Sequence, residues 1–123
     1  MSKVILTVDD SKTMRDMLKL ALNGAGHNVI QADDGLNGLE ALQGAKTNVD
    51  VIITDINMPR LDGFGFIDHV RRDPRNRAVP ILVLTTESEP GKKQRAKDAG
   101  ATGWIVKPFD PAKLLAAIQR VSP

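Results

Sequence analysis

Short apolar runs, separated by stretches of helical length and each broken off by polar residues, constrain this chain more than any other feature. Lys3 to Val8 stops at Asp9-Asp10, Asn28 to Ala32 at Asp33-Asp34-Gly35, and Asp50 to Thr54 at Asp55. Ile81 to Leu84 ends at Thr85-Thr86, and Trp104 to Val106 at Lys107-Pro108. The first, third and fourth runs are near-continuous rather than alternating, the pattern of strands buried on both faces. Between them lie helical patterns. Ser11 is placed to cap a helix in which Met14, Met17, Leu18, Ala21 and Leu22 recur before Gly24 and Gly26, and the methionines are assigned to the core. Leu36, Leu39, Ala41 and Leu42 mark a second helix, and Phe64, Phe66, Ile67 and Val70 a third that ends before Asp73-Pro74. Pro90 opens a polar fourth helix that Gly100 closes, and Pro111 a fifth carrying Leu114, Leu115, Ile118 and Val121.

Five strands alternating with five helices predict an α/β fold: one doubly wound, five-stranded parallel sheet in the order 2-1-3-4-5, covered on both faces. The 123 residues suffice for one such domain and not for two. Neither a linker nor a low-complexity tract interrupts them, and only Ser122-Pro123 could begin something longer.

Composition excludes several classes of function. With no cysteine, disulfides, thiolate metal sites and cysteine nucleophiles are ruled out. The apolar runs are too short to cross a bilayer, and Met1-Ser2-Lys3 does not begin a secretory signal, so a cytoplasmic protein without membrane contact is expected. The formal charge of +2 could favour nucleic acid, but three Phe and one Trp make a poor base-stacking platform, and no nucleic-acid partner is expected. The basic groups Arg71-Arg72 with Arg75 and Arg77, and Lys92-Lys93 with Arg95 and Lys97, are assigned to solvated helix faces.

Chemistry concentrates at the strand ends. In a doubly wound sheet, ligands bind outside the carboxyl ends of the strands where strand order reverses. Asp9, Asp10, Asp55, Thr85 and Lys107 all follow or end strands there. Two carboxylates about 4 Å apart repel by about 4 kcal/mol at an effective dielectric of about 20, so the acidic group requires a cation. Oxygen donors suit magnesium. Lys107 and Thr85 then form a cradle for an anion, and Asp55, at the end of the central strand, is the candidate nucleophile toward phosphorus. Asp33, Asp34 and Asp62 are assigned to turns and caps. His27 and His69 lie away from this edge and are assigned structural or solvated roles.

The runs Val8-Asp9-Asp10-Ser11, Thr54-Asp55-Ile56-Asn57-Met58-Pro59 with Asp62-Gly63, Leu84-Thr85-Thr86-Glu87 and Val106-Lys107-Pro108-Phe109 resemble, in order and spacing, the four signatures of bacterial response-regulator receiver domains. The chain most resembles single-domain chemotaxis regulators of the CheY type, with their flavodoxin-like fold, over essentially all of residues 1–123. The resemblance implies that Asp10, Asp55 and the main-chain carbonyl of Asn57 ligate Mg²⁺, with Asp9 supporting the ion through water. It further implies that Asp55 accepts a phosphoryl group, that Thr85 and Lys107 hold its oxygens, and that Lys107-Pro108 is a cis peptide. Thr85 is expected to move toward the phosphoryl group and Trp104 to turn into the space vacated. By the same resemblance, Asn57 and Glu87 occupy positions that in the family influence how quickly the acyl phosphate hydrolyses, and Thr86 is expected to narrow the approach of small donors or a phosphatase. Two residues depart from the usual pattern, Trp104 where Tyr or Phe is common and Thr86 where many relatives carry alanine.

The partners implied are a histidine kinase as phosphodonor, a flagellar motor switch protein as target, and a phosphatase, with the chain itself a monomer. A relay or phosphate sink would use the same site. A phosphohydrolase fits less well, because Asn57 stands where many such enzymes carry a second Asp. A flavodoxin-like cofactor binder is disfavoured because two carboxylates begin the loop that would cradle phosphate.

Overall fold

The computed structural model describes residues 2–123; Met1 lies outside them. β1 (Val4–Val8), β2 (Asn28–Ala32), β3 (Val51–Thr54), β4 (Ile81–Thr85) and β5 (Gly103–Val106) form one parallel sheet in the order β2-β1-β3-β4-β5, as the alternation predicts. The connecting helices are α1 (Lys12–Gly24), α2 (Gly35–Gly44), α3 (Gly63–Arg72), α4 (Pro90–Ala99) and α5 (Pro111–Val121). Strand order reverses between β1 and β3, which pair from Ile5 with Val51 to Val8 with Thr54.

Strand side chains alternate between two cores. Leu6, Val8, Ile52, Ile81 and Val83 pack with Phe64, Phe66, Ile67 and Val70 of α3 and Ala96 of α4. Ile5, Val51, Ile53, Leu82 and Leu84 pack with Leu18 and Leu22 of α1 and Leu114 and Ile118 of α5. Period two places Thr7 with Ile5 on the α1/α5 side, and Thr7 is fully buried. Its Oγ1 is the one buried side-chain polar atom without a hydrogen-bond partner among the described residues. Thr7→Val keeps the shape and removes an unpaired hydroxyl, so it is expected to stabilise the fold by about 1 kcal/mol in urea unfolding. Lower stability in the variant would mean that the hydroxyl is bonded.

Capping follows the sequence closely. Ser11 accepts the Met14 amide at the start of α1, Asp34 the Asn37 amide at α2, and Asp62 the Gly65 amide at α3. The cap roles assigned to Asp34 and Asp62 therefore hold. The Lys107-Pro108 peptide is cis.

Three expectations need correction. Met17 is 45 % exposed rather than core, because it sits at the margin of the stripe formed by Met14, Leu18, Ala21 and Leu22. Leu36, at the first turn of α2, is likewise exposed. Arg71 is not a solvated charge. Its guanidinium donates to the Gly100 carbonyl at 2.8 and 3.1 Å and to the Asn76 carbonyl at 3.0 Å, tying the end of α3 to the end of α4. Burial pushes its pKa down. A short 3-10 turn, Pro74–Asn76, also follows α3, where proline preset the backbone. No helix among the described residues is long and apolar enough to cross a membrane.

Candidate functional site

Hydrogen bonding carries the β1 and β3 ladders one residue past their ends. The Asp9 amide donates to the Ala32 carbonyl at 3.1 Å and the Asp55 amide to the Val8 carbonyl at 2.9 Å. Backbone register therefore fixes Asp9 and Asp55 side by side at the switch point. From the other side, the Lys107 amide donates to the Thr85 carbonyl at 2.8 Å, which aims the residue after β5 at the same rim.

The Lys107 ammonium bridges the two carboxylates, 2.8 Å from Asp9 Oδ2 and 2.7 Å from Asp55 Oδ2. Each carboxylate spends its other oxygen on a backbone amide, Asp9 Oδ1 on Ser11 at 2.9 Å and Asp55 Oδ1 on Ile56 at 2.6 Å. Asp10 is exposed beside them, and one ligand oxygen each from Asp9, Asp10 and Asp55 lies within 4.8 Å of the others. Burial pushes the Asp9 carboxyl up from its ordinary value; hydrogen bonds from Lys107 and Ser11 pull it back only in part. Burial also opposes the Lys107 charge, but the hydrogen bonds to Asp55 and Asp9 outweigh it and raise the ammonium above its ordinary value. Three carboxylates against one ammonium leave an excess of negative charge equal to one divalent cation, and every donor in the set is a hard oxygen. The set fits magnesium.

The remaining predicted residues fall into two groups. Thr85 is fully buried at the end of β4, and its hydroxyl accepts the Glu87 amide at 3.2 Å. Asn57 and Thr86 are exposed at the mouth. The Glu87 carboxylate pairs with Lys92 at 2.8 Å, and Lys92, with a smaller contribution from the Asn57 side chain, holds it below the usual carboxylate range. Trp104 is not part of the acidic pocket. It is half-buried on β5, packs against the α3/α4 core and lines a groove of about 490 Å³ with Lys93, Lys97, Ala101 and Thr102. The histidines lie elsewhere, as expected: His27 Nδ1 accepts the Lys3 amide at 3.1 Å, and His69 Nδ1 lies 2.8 Å from the Gly65 carbonyl.

Three residues at this rim escape sequence reasoning. Arg15 donates to the Asp9 carbonyl at 2.7 Å, Lys92 holds Glu87, and Arg60, in the loop after Asp55, reaches Asp34 at 2.6 Å. Lys92 lies five residues after Glu87, which precedes α4, so helical spacing does not suggest that pair either. The other two depend on loop conformation, for which the sequence carries no periodic signal.

The family model for the response regulator receiver domain matches residues 5–119. The chain belongs to this family. The receiver is 40% identical over 111 residues to chemotaxis protein CheY1 of Helicobacter pylori, with 89% of each chain covered. Among solved structures it is similar to Vibrio cholerae chemotaxis protein CheY4, at 47% identity and a TM-score of 0.92, covering 98% of this chain and 99% of that one. It is also similar to the receiver domain of sensor histidine kinase PA1611 of Pseudomonas aeruginosa, at 28% identity and a TM-score of 0.88, with coverage of 98% and 97%. That structure has a magnesium ion coordinated in its active-site cleft. The receiver is thus of the type found in CheY chemotaxis proteins, and its order of strands is the one expected for them.

Proposed function

We propose that this receiver is a phosphorylation-switched signalling protein in which Asp55 accepts a phosphoryl group, and not an enzyme that releases a product. The observation that carries this reading is the Lys107 ammonium held by Asp9 and Asp55 beside exposed Asp10. An anion-binding cation and an oxygen-rich metal site meet at one nucleophile.

Asp10, Asp55 and the Asn57 carbonyl would hold Mg²⁺ directly, with Asp9 supporting it through water, as the magnesium in the related receiver of PA1611 encourages. Bound there, the ion offsets charge on the transferring phosphoryl oxygens. A carboxylate oxygen of Asp55 attacks phosphorus, and the bond from phosphorus to the donor breaks. The electron pair leaves with the donor, an imidazole nitrogen when a histidine kinase is the source. Lys107 exchanges carboxylate partners for a phosphoryl oxygen. The Thr85 hydroxyl, which accepts the Glu87 amide, keeps its proton to donate to the phosphoryl group as it turns toward it. Asn57, Thr86 and Glu87 stand at the mouth through which water or a phosphatase reaches the acyl phosphate.

Phosphorylation adds about −1.5 to −2 charges at the rim. The groove beside Trp104, flanked by Lys93 and Lys97, is the surface through which this change is read. A flagellar motor switch protein is the target that the chemotaxis relatives favour; a relay or phosphate sink would use the same chemistry without that contact. Beryllium fluoride with Mg²⁺ is expected to change Trp104 fluorescence and to increase capture of the motor switch protein. Unchanged fluorescence would remove the Trp104 switch, and capture indifferent to the phosphoryl mimic would favour the sink.

A further inference from the structure

The loop that joins β3 to α3 carries Asn57, and its geometry is held from outside the acidic pocket. Arg60 lies at φ 66°, a positive angle that an L side chain rarely adopts, at the centre of a three-residue turn closed by the Leu61 amide on the Pro59 carbonyl at 2.7 Å. A residue kept there is held by its surroundings. Its Nε donates to Asp34 Oδ2 at 2.6 Å, and the Asp34 side chain is only 6 % exposed although that of Arg60 is 52 % exposed. Asp34 is itself fixed, because its other oxygen caps α2 through the Asn37 amide at 2.8 Å. The next residue along the loop adds a backbone bond to the same helix start, from the Gly35 amide to the Leu61 carbonyl at 3.1 Å. A Cβ at Gly35 would stand 2.5 Å from that oxygen, so the loop and α2 are in direct contact. At its far end the Gly63 amide closes the loop onto the Ile56 carbonyl at 2.8 Å.

Asn57, Met58 and Pro59 are therefore slung between two fixed points, the end of β3 and the Arg60 anchor. We propose that Arg60 is a positioning residue for the metal site: its ion pair with Asp34 holds the loop that would present the Asn57 carbonyl to the ion. The inference rests on the magnesium reading above. Arg60 touches neither Asp9 nor Asp55, and it acts only through the backbone between it and Asn57. Its charge alone would have the opposite effect, since removing a cation near an acidic site tightens cation binding. Weaker binding after its removal therefore reports position.

The test is an amide chemical-shift titration with Mg²⁺ of the whole chain and of Arg60→Asn, Arg60→Lys and Arg75→Ala. Asn is among the non-glycine residues most often found at positive φ, so Arg60→Asn removes the guanidinium at the least backbone cost. Arg75, paired with Asp73 at 2.9 Å, supplies a surface ion pair unrelated to the loop. Arg60→Asn is expected to raise the Mg²⁺ dissociation constant by about tenfold, the lower end for residues that orient a ligand, and to lower the urea midpoint as Asp34 loses its partner. Arg60→Lys should recover most of that loss, and Arg75→Ala should bind as the unaltered chain does. An Arg60→Asn constant within about twofold of the unaltered chain overturns the inference while leaving the metal site standing. Absence of Mg²⁺ binding by the unaltered chain overturns both.

Discussion

Lys107→Met is expected to cost about 3 kcal/mol of stability at neutral pH, as removal of one partner from a buried ion pair does. The Lys107 side chain is only 11 % exposed and its ammonium answers two carboxylates; without it Asp9 and Asp55 face each other with amides as their remaining donors. The sign of the pH dependence follows from Asp9. Burial already raises its pKa while Lys107 pulls it down. In the variant the carboxyl rises further, so the folded variant holds its proton to higher pH than the unfolded chain does. Its stability then falls as pH climbs through that range, and the deficit against the unaltered chain is small near about pH 4 and full at neutrality. In the unaltered chain the Lys107 contribution persists below the ordinary lysine value and is lost only as pH rises through its raised folded value. Urea unfolding at several pH values, with and without Mg²⁺, measures all of this. The account expects the divalent ion to restore part of the lost stability. A deficit independent of pH and of Mg²⁺ would show that Lys107 acts through packing alone.

Gly63→Ala carries the second large effect. A Cβ at this position would lie 2.3 Å from the Asp55 carbonyl oxygen and 2.7 Å from the Ile56 Cα. Both are backbone atoms of the segment that presents the nucleophile, so no rotamer change relieves the clash. Overpacking against backbone is expected to cost about 3 kcal/mol, and displacement of the Asp55 peptide to slow phosphorylation by about a hundredfold. Gly91→Ala is the matching control. Nothing lies within 4 Å of a Cβ there, and the residue is inside α4, so the change is expected to stabilise by about 0.5 kcal/mol. Equal effects at the two positions would contradict the close approach at Gly63.

Where both faces of a strand are buried, the apolar run is continuous and the sequence reading succeeds, as at Val51–Thr54 and Ile81–Thr85. β5 begins one residue earlier than expected, because Gly103 interrupts the apolar run although its backbone pairs with Leu82. The cluster of polar residues at the rim is legible for a related reason: a doubly wound sheet sends every strand's carboxyl end to one rim, so unusual polar residues at those ends converge. Their pairing was not legible. The Lys107 ammonium is held by Asp9 and Asp55, partners 98 and 52 positions away in the sequence. Arg71 escaped for the same cause. Its partner Gly100 lies 29 residues away, and a charged run on a helix looks the same whether it is solvated or capping a distant carbonyl. The positive φ of Arg60 is not legible in Pro59-Arg60-Leu61; it accompanies a local turn closed by the Leu61 amide on the Pro59 carbonyl and the ion pair to Asp34 at the start of α2.

The role proposed for the acidic rim is to make Asp55 a magnesium-dependent phosphoacceptor. The most direct measurement offers the purified chain labelled acetyl phosphate with Mg²⁺ and locates the label by mass spectrometry. The account predicts one phosphoryl group on Asp55, lost when a chelator replaces the ion and absent from Asp55→Asn. A chain that stays unmodified, or one that takes up as much label with the chelator or with asparagine at that position, would contradict it.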